Sequence, residues 1–348
     1  MISCSPAAAL EDDDMLEEIL LRLPPWPSSL PRASAVCKRW RGLLTDPGFL
    51  RRFGAHHREP PLVGVFLHDD NQVEFTPVLP APDCIPPRRF DLPIHNVDSH
   101  TYFGPQTQLL GCRHGHVLVL HQVHAEVLVC DPITGCMRHV PIPPEFKIGY
   151  IIGTVLCAAH HKGHVNGSCH STPFKVVLLL LSAKDHRPLA SVYSSETDTW
   201  GELISTKVPC RNCSSGYLST LVGNVLYWAL MRAEDGILEF DLDRQSLDVL
   251  KGPPGINHCN SHQIIQAEDG AVGLVTLSHH YHSIQMWERK VNHPGVPTWV
   301  LRMAVGTDHI LGLPPRIVGE KAWAKLILGY GHRWDIFIRE AQCLSGST

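Results

Sequence analysis

The sequence lacks a hydrophobic run long enough to cross a membrane. A spanning helix needs about 18 or more consecutive apolar residues, whereas no apolar run in the sequence approaches that length; Val176 to Leu181, for example, has only the length of a buried strand. The first residues, MISCSPAAALEDDD, also lack the basic stretch and the apolar stretch of a secretory signal peptide. We therefore expect an intracellular protein, in the nucleus, the cytoplasm or both, that does not bind a membrane.

The sequence also lacks an excess of charge of either sign. Its 348 residues include 30 basic and 34 acidic side chains and carry a formal net charge of −4. Because a nucleic-acid-binding domain concentrates positive charge, we expect no nucleic-acid partner. The hydrophobic fraction of 44% is typical of a globular chain, and the length is typical of about two domains.

Familiar catalytic motifs are missing as well. The sequence has no G-x-S-x-G turn, no G-x-x-x-x-G-K phosphate loop and no H-E-x-x-H helix. Catalytic residues that are distant in the sequence would escape such a search, but no motif points to an enzyme. We therefore expect a non-catalytic protein without a cofactor.

Cysteines and histidines are abundant, at 12 and 23 residues. Inside the cell thiols stay reduced, so we expect no disulfide framework. Cys210 and Cys213 form a C-x-x-C pair, and His258 and His262 follow downstream, which suits tetrahedral zinc by residue type. Because a second C-x-x-C pair is missing, we expect no metal site, and these four residues are the candidates for one.

The first helix is predicted after an acidic run. Asp12, Asp13 and Asp14 supply a capping carboxylate and the negative charge that a helix start favours. The prolines Pro24 and Pro25 are expected to end the helix. Between them lies one broad apolar stripe. It consists of Met15, Leu16, Ile19, Leu20 and Leu23.

A second helix is predicted from Ser29, as its N-cap, to Leu44, because apolar residues recur at spacings of three and four residues. Asp46 and Pro47 are expected to close this helix, and the following GFLRRF could add one more turn. A bundle of this size hides little surface by itself. It is either a small bundle packed on the rest of the chain or a docking module for a partner.

The residues of these helices strongly resemble the F-box. The resemblance runs from about Leu10 to Phe53, and we place the domain at residues 10–54. One departure is the start, where ALEDDD stands in place of the common leucine-proline. The positions that match are Leu16, Ile19, Leu20, Leu23, Pro24, Leu30, Val36, Cys37, Trp40, Leu44, Asp46, Pro47 and Phe49.

The resemblance implies binding to a Skp1-like adaptor and, through it, to a cullin. The chain would then be the substrate-recognition subunit of an SCF-type E3 ubiquitin ligase, in which other subunits transfer ubiquitin. Its target protein would bind elsewhere on the chain. The residues expected to bind Skp1 are Leu16, Ile19, Leu20, Leu23, Pro24, Leu30, Val36, Cys37, Trp40, Leu44 and Pro47.

The rest of the chain, residues 61–348, is predicted to be all β. Three segments share one layout of glycine, strand, polar turn and strand, beginning at Gly115, Gly223 and Gly270. The segments DPITGCMRHVPIPP, SSETDTWGELI and DLDRQSLDVLKGPP resemble one another as a turn followed by an outer strand. Similar units recur about every 50 residues, as propeller blades do.

We therefore predict an α+β multidomain chain, with the helical F-box followed by a propeller-like domain. The layout resembles the propeller-like F-box-associated domains of plant F-box proteins, and a β-sandwich is the alternative. We expect the last repeat, from Leu326, to be incomplete. Either the strand near Val63 completes the last sheet, or the domain is partly open. Two other functions remain: a propeller-type metal-dependent hydrolase, and a truncated or decoy receptor.

Overall fold

The chain divides into two compact units in the computed structural model. The first unit comprises Met1–Val140 and Leu156–Phe174, and the second comprises Pro141–Val155 and Lys175–Thr348. The structure describes residues 12–57, 61–69, 72–90, 107–113, 115–132, 135–147, 149–158, 173–181, 187–206, 219–230, 236–254, 262–267, 269–277, 283–292, 296–306, 326–328 and 336–338. Short helices precede a mostly β region of antiparallel sheets. This confirms the predicted α+β multidomain class.

The described part of the first unit begins with four helices. They are α1 (Asp13–Leu21), α2 (Ser29–Ser34), α3 (Lys38–Thr45) and α4 (Pro47–His56). The predicted start of α1 is confirmed, because the Asp12 carboxylate accepts hydrogen bonds from the amides of Asp14 and Met15, at 2.9 and 3.4 Å. No described helix is both long and apolar enough to span a membrane.

The prediction of one helix from Ser29 to Leu44 is wrong. Cys37 is extended, with φ −161° and ψ 170°, and it separates α2 from α3. Its Sγ accepts a hydrogen bond from the Trp40 amide at 3.5 Å, so the thiol caps the new helix. The spacing of the apolar residues continues across the break and therefore did not reveal it. Ser28, not Ser29, is the N-cap of α2.

The other helix ends also differ from the prediction. Helix α1 ends at Leu21, before the proline pair. GFLRRF is part of a helix of 10 residues rather than one added turn. This helix begins well because Pro47 occupies its first position and the Asp46 carboxylate accepts from the Phe49 amide at 2.9 Å.

A hairpin and an antiparallel sheet follow the helices. The hairpin consists of β1 (Gly64–Asp69) and β2 (Gln72–Pro77). Short 3-10 turns occupy Pro87–Phe90 and Pro144–Phe146. The sheet runs in the order of its strands, which are β3 (Thr107–Arg113), β4 (His116–His121), β5 (Glu126–Asp131) and β6 (Cys136–Pro141).

The sheets that follow repeat this meander. The first has five strands, with β10 and β11 both paired to β9, and two sheets of four strands come next. The last described pair is a hairpin. The strands are β7 (Tyr150–Cys157), β8 (Phe174–Leu181), β9 (Leu189–Ser194), β10 (Thr199–Trp200), β11 (Ile204–Ser205), β12 (Thr220–Val222), β13 (Val225–Ala229), β14 (Ile237–Asp241), β15 (Ser246–Leu250), β16 (His262–Gln266), β17 (Val272–Leu277), β18 (Ser283–Asn292), β19 (Val296–Gly306), β20 (Leu326–Leu328) and β21 (Ile336–Ile338).

The predicted glycine-led hairpins are confirmed. They are β4–β5, β13–β14 and β17–β18, all antiparallel. Gly115, Gly223 and Gly270 precede them with φ values of 77°, 62° and 82°, which a glycine adopts without strain. Strands β6, β10 and β15 are the outer strands predicted from the three similar turn segments. The propeller-like arrangement of these sheets stays a prediction.

Two tryptophans of the second unit make the same kind of contact. The Trp200 indole N–H donates to the Pro141 carbonyl at 2.8 Å, and the Trp299 indole N–H donates to the Lys251 carbonyl at 2.9 Å. Each accepting carbonyl stands two residues before a proline pair, in PIPP and in KGPP. Within the second unit, the Thr220 hydroxyl on β12 donates to the Ile264 carbonyl on β16 at 2.8 Å and so joins two four-stranded sheets.

A histidine cluster lies on the hairpin β4–β5 and on β6. The rings of His121 and His124 are 4.3 Å apart, and His139 Nδ1 is 3.2 Å from a Glu126 carboxylate oxygen. Partial burial and the nearby His124 lower the pKa of His121 below its ordinary value of 6.5. Glu126 raises this pKa and His139 lowers it, both by smaller amounts.

Replacing Gly236 by alanine should destabilise the second unit far more than replacing Gly223. Both residues have positive φ, so each variant is strained by about 1–2 kcal/mol. A Cβ on Gly236 would lie 2.1 Å from the Leu250 carbonyl oxygen, whereas nothing lies within 4 Å of a Cβ on Gly223. We expect Gly236→Ala to lower the free energy of unfolding by at least about 3 kcal/mol. Urea titrations of both variants test this, and equal losses would contradict it.

The stability of the chain should fall as the pH drops through the ordinary histidine range. Because the pKa of His121 is lower in the folded chain, the unfolded chain binds the proton first, which favours unfolding. A His121→Gln variant should therefore lose less stability between about pH 7.5 and about pH 5.5. Thermal unfolding midpoints at both pH values measure this. His56→Gln, at an exposed histidine, is the control, and equal losses in the two variants would rule the explanation out.

Candidate functional site

The helical module, residues 12–57, is held together by one small apolar core. Half-buried hydrophobic residues pack against this core from α2, α3 and α4 and from the loop after α1: Leu23, Leu30, Trp40, Leu43 and Phe53. The fully buried members are Leu16, Leu20, Leu21, Ala33, Leu44 and Phe49. The module therefore has a core of its own.

Five large apolar side chains of the helical module remain exposed. Met15 and Ile19 are 50% and 39% exposed, and they lie one turn apart on the same face of α1. Val36 is 61% exposed, at the break between α2 and α3. Trp26 and Leu50 are also exposed. We call these five residues the exposed apolar set; a module this small would gain by covering them with a partner.

The residues predicted to bind Skp1 fall into three groups. Leu16, Leu20 and Leu44 are buried in the core, so they shape the module rather than offer contacts in this structure. Leu23, Leu30 and Trp40 are half-buried against that core. Those left exposed to a partner are Ile19, Pro24, Val36, Cys37 and Pro47.

Three exposed residues were missed by the sequence analysis as site candidates. Met15 belongs to the predicted apolar stripe, so its hydrophobicity was a usable signal. Trp26 stands between prolines in PPWPSS, where a large apolar residue in a turn was a second signal. Leu50 gave no signal, because it neighbours the buried Phe49 on a helix that was predicted too short.

Ion pairs on the surface of the module join α1 to α3 and to α4. Arg39 lies 2.6 Å from Asp13, and Arg52 contacts both Glu17 and Glu18. Such exposed pairs contribute about 0–1 kcal/mol each. In addition, His57 Nε2 lies 2.9 Å from the Leu21 carbonyl, where it ties the end of α4 to the end of α1. These contacts orient the helices, and the apolar core supplies most of their stability.

The structure describes only one of the four candidate zinc ligands. Cys210, Cys213 and His258 lie outside the described residues, and His262 is on β16, paired with Thr276 of β17. Among the described residues no group of three or more histidine, cysteine, aspartate or glutamate side chains is placed to hold a metal ion.

The helical module matches a known family. Residues 12–52 match the F-box domain. No curated protein matches the chain.

Several solved structures resemble the chain, with low TM-scores and low sequence identity. Dihydro-heme d1 dehydrogenase NirN in complex with DHE has a TM-score of 0.31 and 12% identity over 55% of this chain and 35% of that one. A Bacteroides fragilis protein described as a 6-phosphogluconolactonase has a TM-score of 0.39 and 13% identity over 67% and 64%. Oligogalacturonate lyase in complex with manganese has a TM-score of 0.26 and 15% identity over 57% and 47%.

The chain spans less than two thirds of the length of each of these three structures. At such TM-scores the similarities carry no argument about fold or activity. The match at residues 12–52 is different, because it coincides with the helices and the apolar core described above. The helical module is therefore an F-box domain, and the chain carries it ahead of a region of antiparallel β-sheets.

Proposed function

We propose that the chain is the substrate-recognition subunit of an SCF-type E3 ubiquitin ligase. An F-box domain in general implies a Skp1-type partner and, through it, a cullin. The observation that carries the proposal is the coincidence of this domain with a module that closes its own core and leaves the exposed apolar set uncovered. A Skp1-like adaptor is the partner that covers it.

The surface that binds the adaptor consists of the predicted residues that are exposed, because the buried ones cannot contact a partner. Ile19 and Val36 contact the adaptor directly, together with Met15 of the same face of α1. Burying an apolar side chain contributes about 1.5–3 kcal/mol, so a few such residues suffice for a stable contact. Leu16, Leu20 and Leu44 act indirectly, because they hold α1 against the other helices.

The β region holds the target protein in this proposal. Consecutive antiparallel meanders are the building units of a propeller-like F-box-associated domain, and they present loops in which a target can be recognised. Other subunits transfer the ubiquitin, so the chain itself contributes proximity and no catalytic residue. We place this function in the nucleus or the cytoplasm, where SCF-type ligases act. No observation on the described residues favours the hydrolase or the decoy receptor.

Charged substitutions in the exposed apolar set should weaken Skp1 binding without unfolding the module. Ile19→Asp and Val36→Asp each place a charge in the proposed contact, and we expect each to raise the Kd by at least about tenfold. Isothermal titration calorimetry of the full chain with purified Skp1 measures this. Val123→Asp is the matched control, because Val123 is exposed on the hairpin β4–β5. Unchanged affinity in both test variants would remove the proposed surface.

A core substitution should weaken binding by a different route. Leu20 is buried, so Leu20→Ala should lower the free energy of unfolding of the helical module by about 2–5 kcal/mol. Trp40→Ala, at a half-buried position, should lower both stability and affinity. Circular dichroism melts beside the titrations separate the two effects. A Leu20→Ala variant that keeps its melting temperature but loses Skp1 would instead place Leu20 in the contact.

A further inference from the structure

The start of α2 is capped by a residue distant in the sequence. Ser28 is the N-cap residue, yet its own side chain makes no capping hydrogen bond. Its backbone N–H instead donates to the Asp83 carboxylate at 2.8 Å, across 55 residues, in a partly buried position. A carboxylate at the start of a helix satisfies an unpaired amide and interacts favourably with the helix dipole. Asp83 thus satisfies the amide of the N-cap residue of α2, whereas Asp12 satisfies the amides of the second and third residues of α1.

The segment that carries Asp83 is itself fixed. The Asp83 amide donates to the Pro80 carbonyl at 2.9 Å, which closes a turn. Prolines surround this turn in the sequence LPAPDCIPPRRF, and each of them restricts the backbone. Asp83 is therefore presented to Ser28 from a stiff segment.

The same segment reaches the core of the β region through aromatic rings. The 3-10 turn Pro87–Phe90 places the buried Phe90 ring 4.3 Å from Phe75 of β2 and 6.4 Å from Phe66 of β1. Phe66 in turn packs against a buried cluster of the sheet β3–β6. This cluster consists of Val117, Val119, Leu128 and Cys130. All these residues belong to the first unit.

We propose that Asp83 is a positioning residue that fixes the orientation of the F-box helices relative to the sheet β3–β6. The contact path runs from the start of α2 through one hydrogen bond into a stiff turn, and from there through three rings into the core of the sheet. This orientation of the helices does not require a bound partner protein. Its consequence for ubiquitin transfer, a defined distance between adaptor and target, rests on the proposed function.

A distance measurement tests the orientation directly. Spin labels introduced by non-cysteine chemistry at the exposed positions Arg32 and Val123 report the separation of the helices from the hairpin β4–β5. Non-cysteine labelling is needed because the chain has 12 cysteines. We expect one narrow distance in the unsubstituted chain and the loss of that narrow distance in Asp83→Ala. Asp83→Asn should keep it, because the amide oxygen accepts the same hydrogen bond.

Two further variants keep the test decisive. Asp83→Leu keeps a branched side chain of similar size but offers no acceptor to the Ser28 amide. It should also lose the narrow distance, and it decides the question if Asp83→Ala does not fold. Cys84→Ala, in the same turn, should behave as the unsubstituted chain. A narrow distance that survives in both Asp83→Ala and Asp83→Leu, or is lost in Cys84→Ala, would overturn the proposal.

Skp1 affinity of the same variants separates this inference from the proposed function. We expect Asp83→Ala to bind Skp1 as tightly as the unsubstituted chain, since Asp83 lies outside the exposed apolar set. A folded chain that never binds Skp1 would refute the adaptor function while the distance comparison still decides the role of Asp83. A large loss of affinity in Asp83→Ala alone would instead place Asp83 in the adaptor contact, which would overturn its role as a positioning residue.

Discussion

The small apolar core of the helical module is the constraint on which its partner-binding surface depends. Helices of 6 to 10 residues are unstable alone, because forming the first turn is costly. Leu16, Leu20 and Phe49 must therefore be buried for α1 and α4 to persist. Side chains that are buried in this core cannot contact a partner. What remains for recognition is the set that packing leaves outside, such as Ile19 and Val36.

The sequence was enough to locate this module, but it did not show which of the apolar residues are buried and which are exposed. The apolar stripe and the Asp12 cap are local features, so α1 could be placed from the sequence. Leu16 and Ile19 belong to the same stripe, however, and only the packing of the other helices decides which one is buried. The break at Cys37 depends on an extended residue and a hydrogen bond to its thiol, which apolar spacing does not encode.

In the β region, too, features set by residues close in the sequence were predictable, and contacts between distant residues were not. Glycines with positive φ and short apolar runs define hairpins over fewer than about 20 residues, and these were predictable. The Ser28 to Asp83 bond and the Trp299 to Lys251 bond join residues 55 and 48 positions apart. Such pairs depend on how elements pack in three dimensions. The arrangement of the sheets depends on contacts of this second kind.

The two tryptophan contacts do not depend on the side chain at the accepting position. Each indole donates to a main-chain carbonyl, at Pro141 and at Lys251, and a carbonyl is present whatever side chain the residue carries. Substitution at the accepting position therefore leaves the acceptor in place. A proline and a lysine both serve there, so the residue at the accepting position can differ while the tryptophan keeps its hydrogen bond.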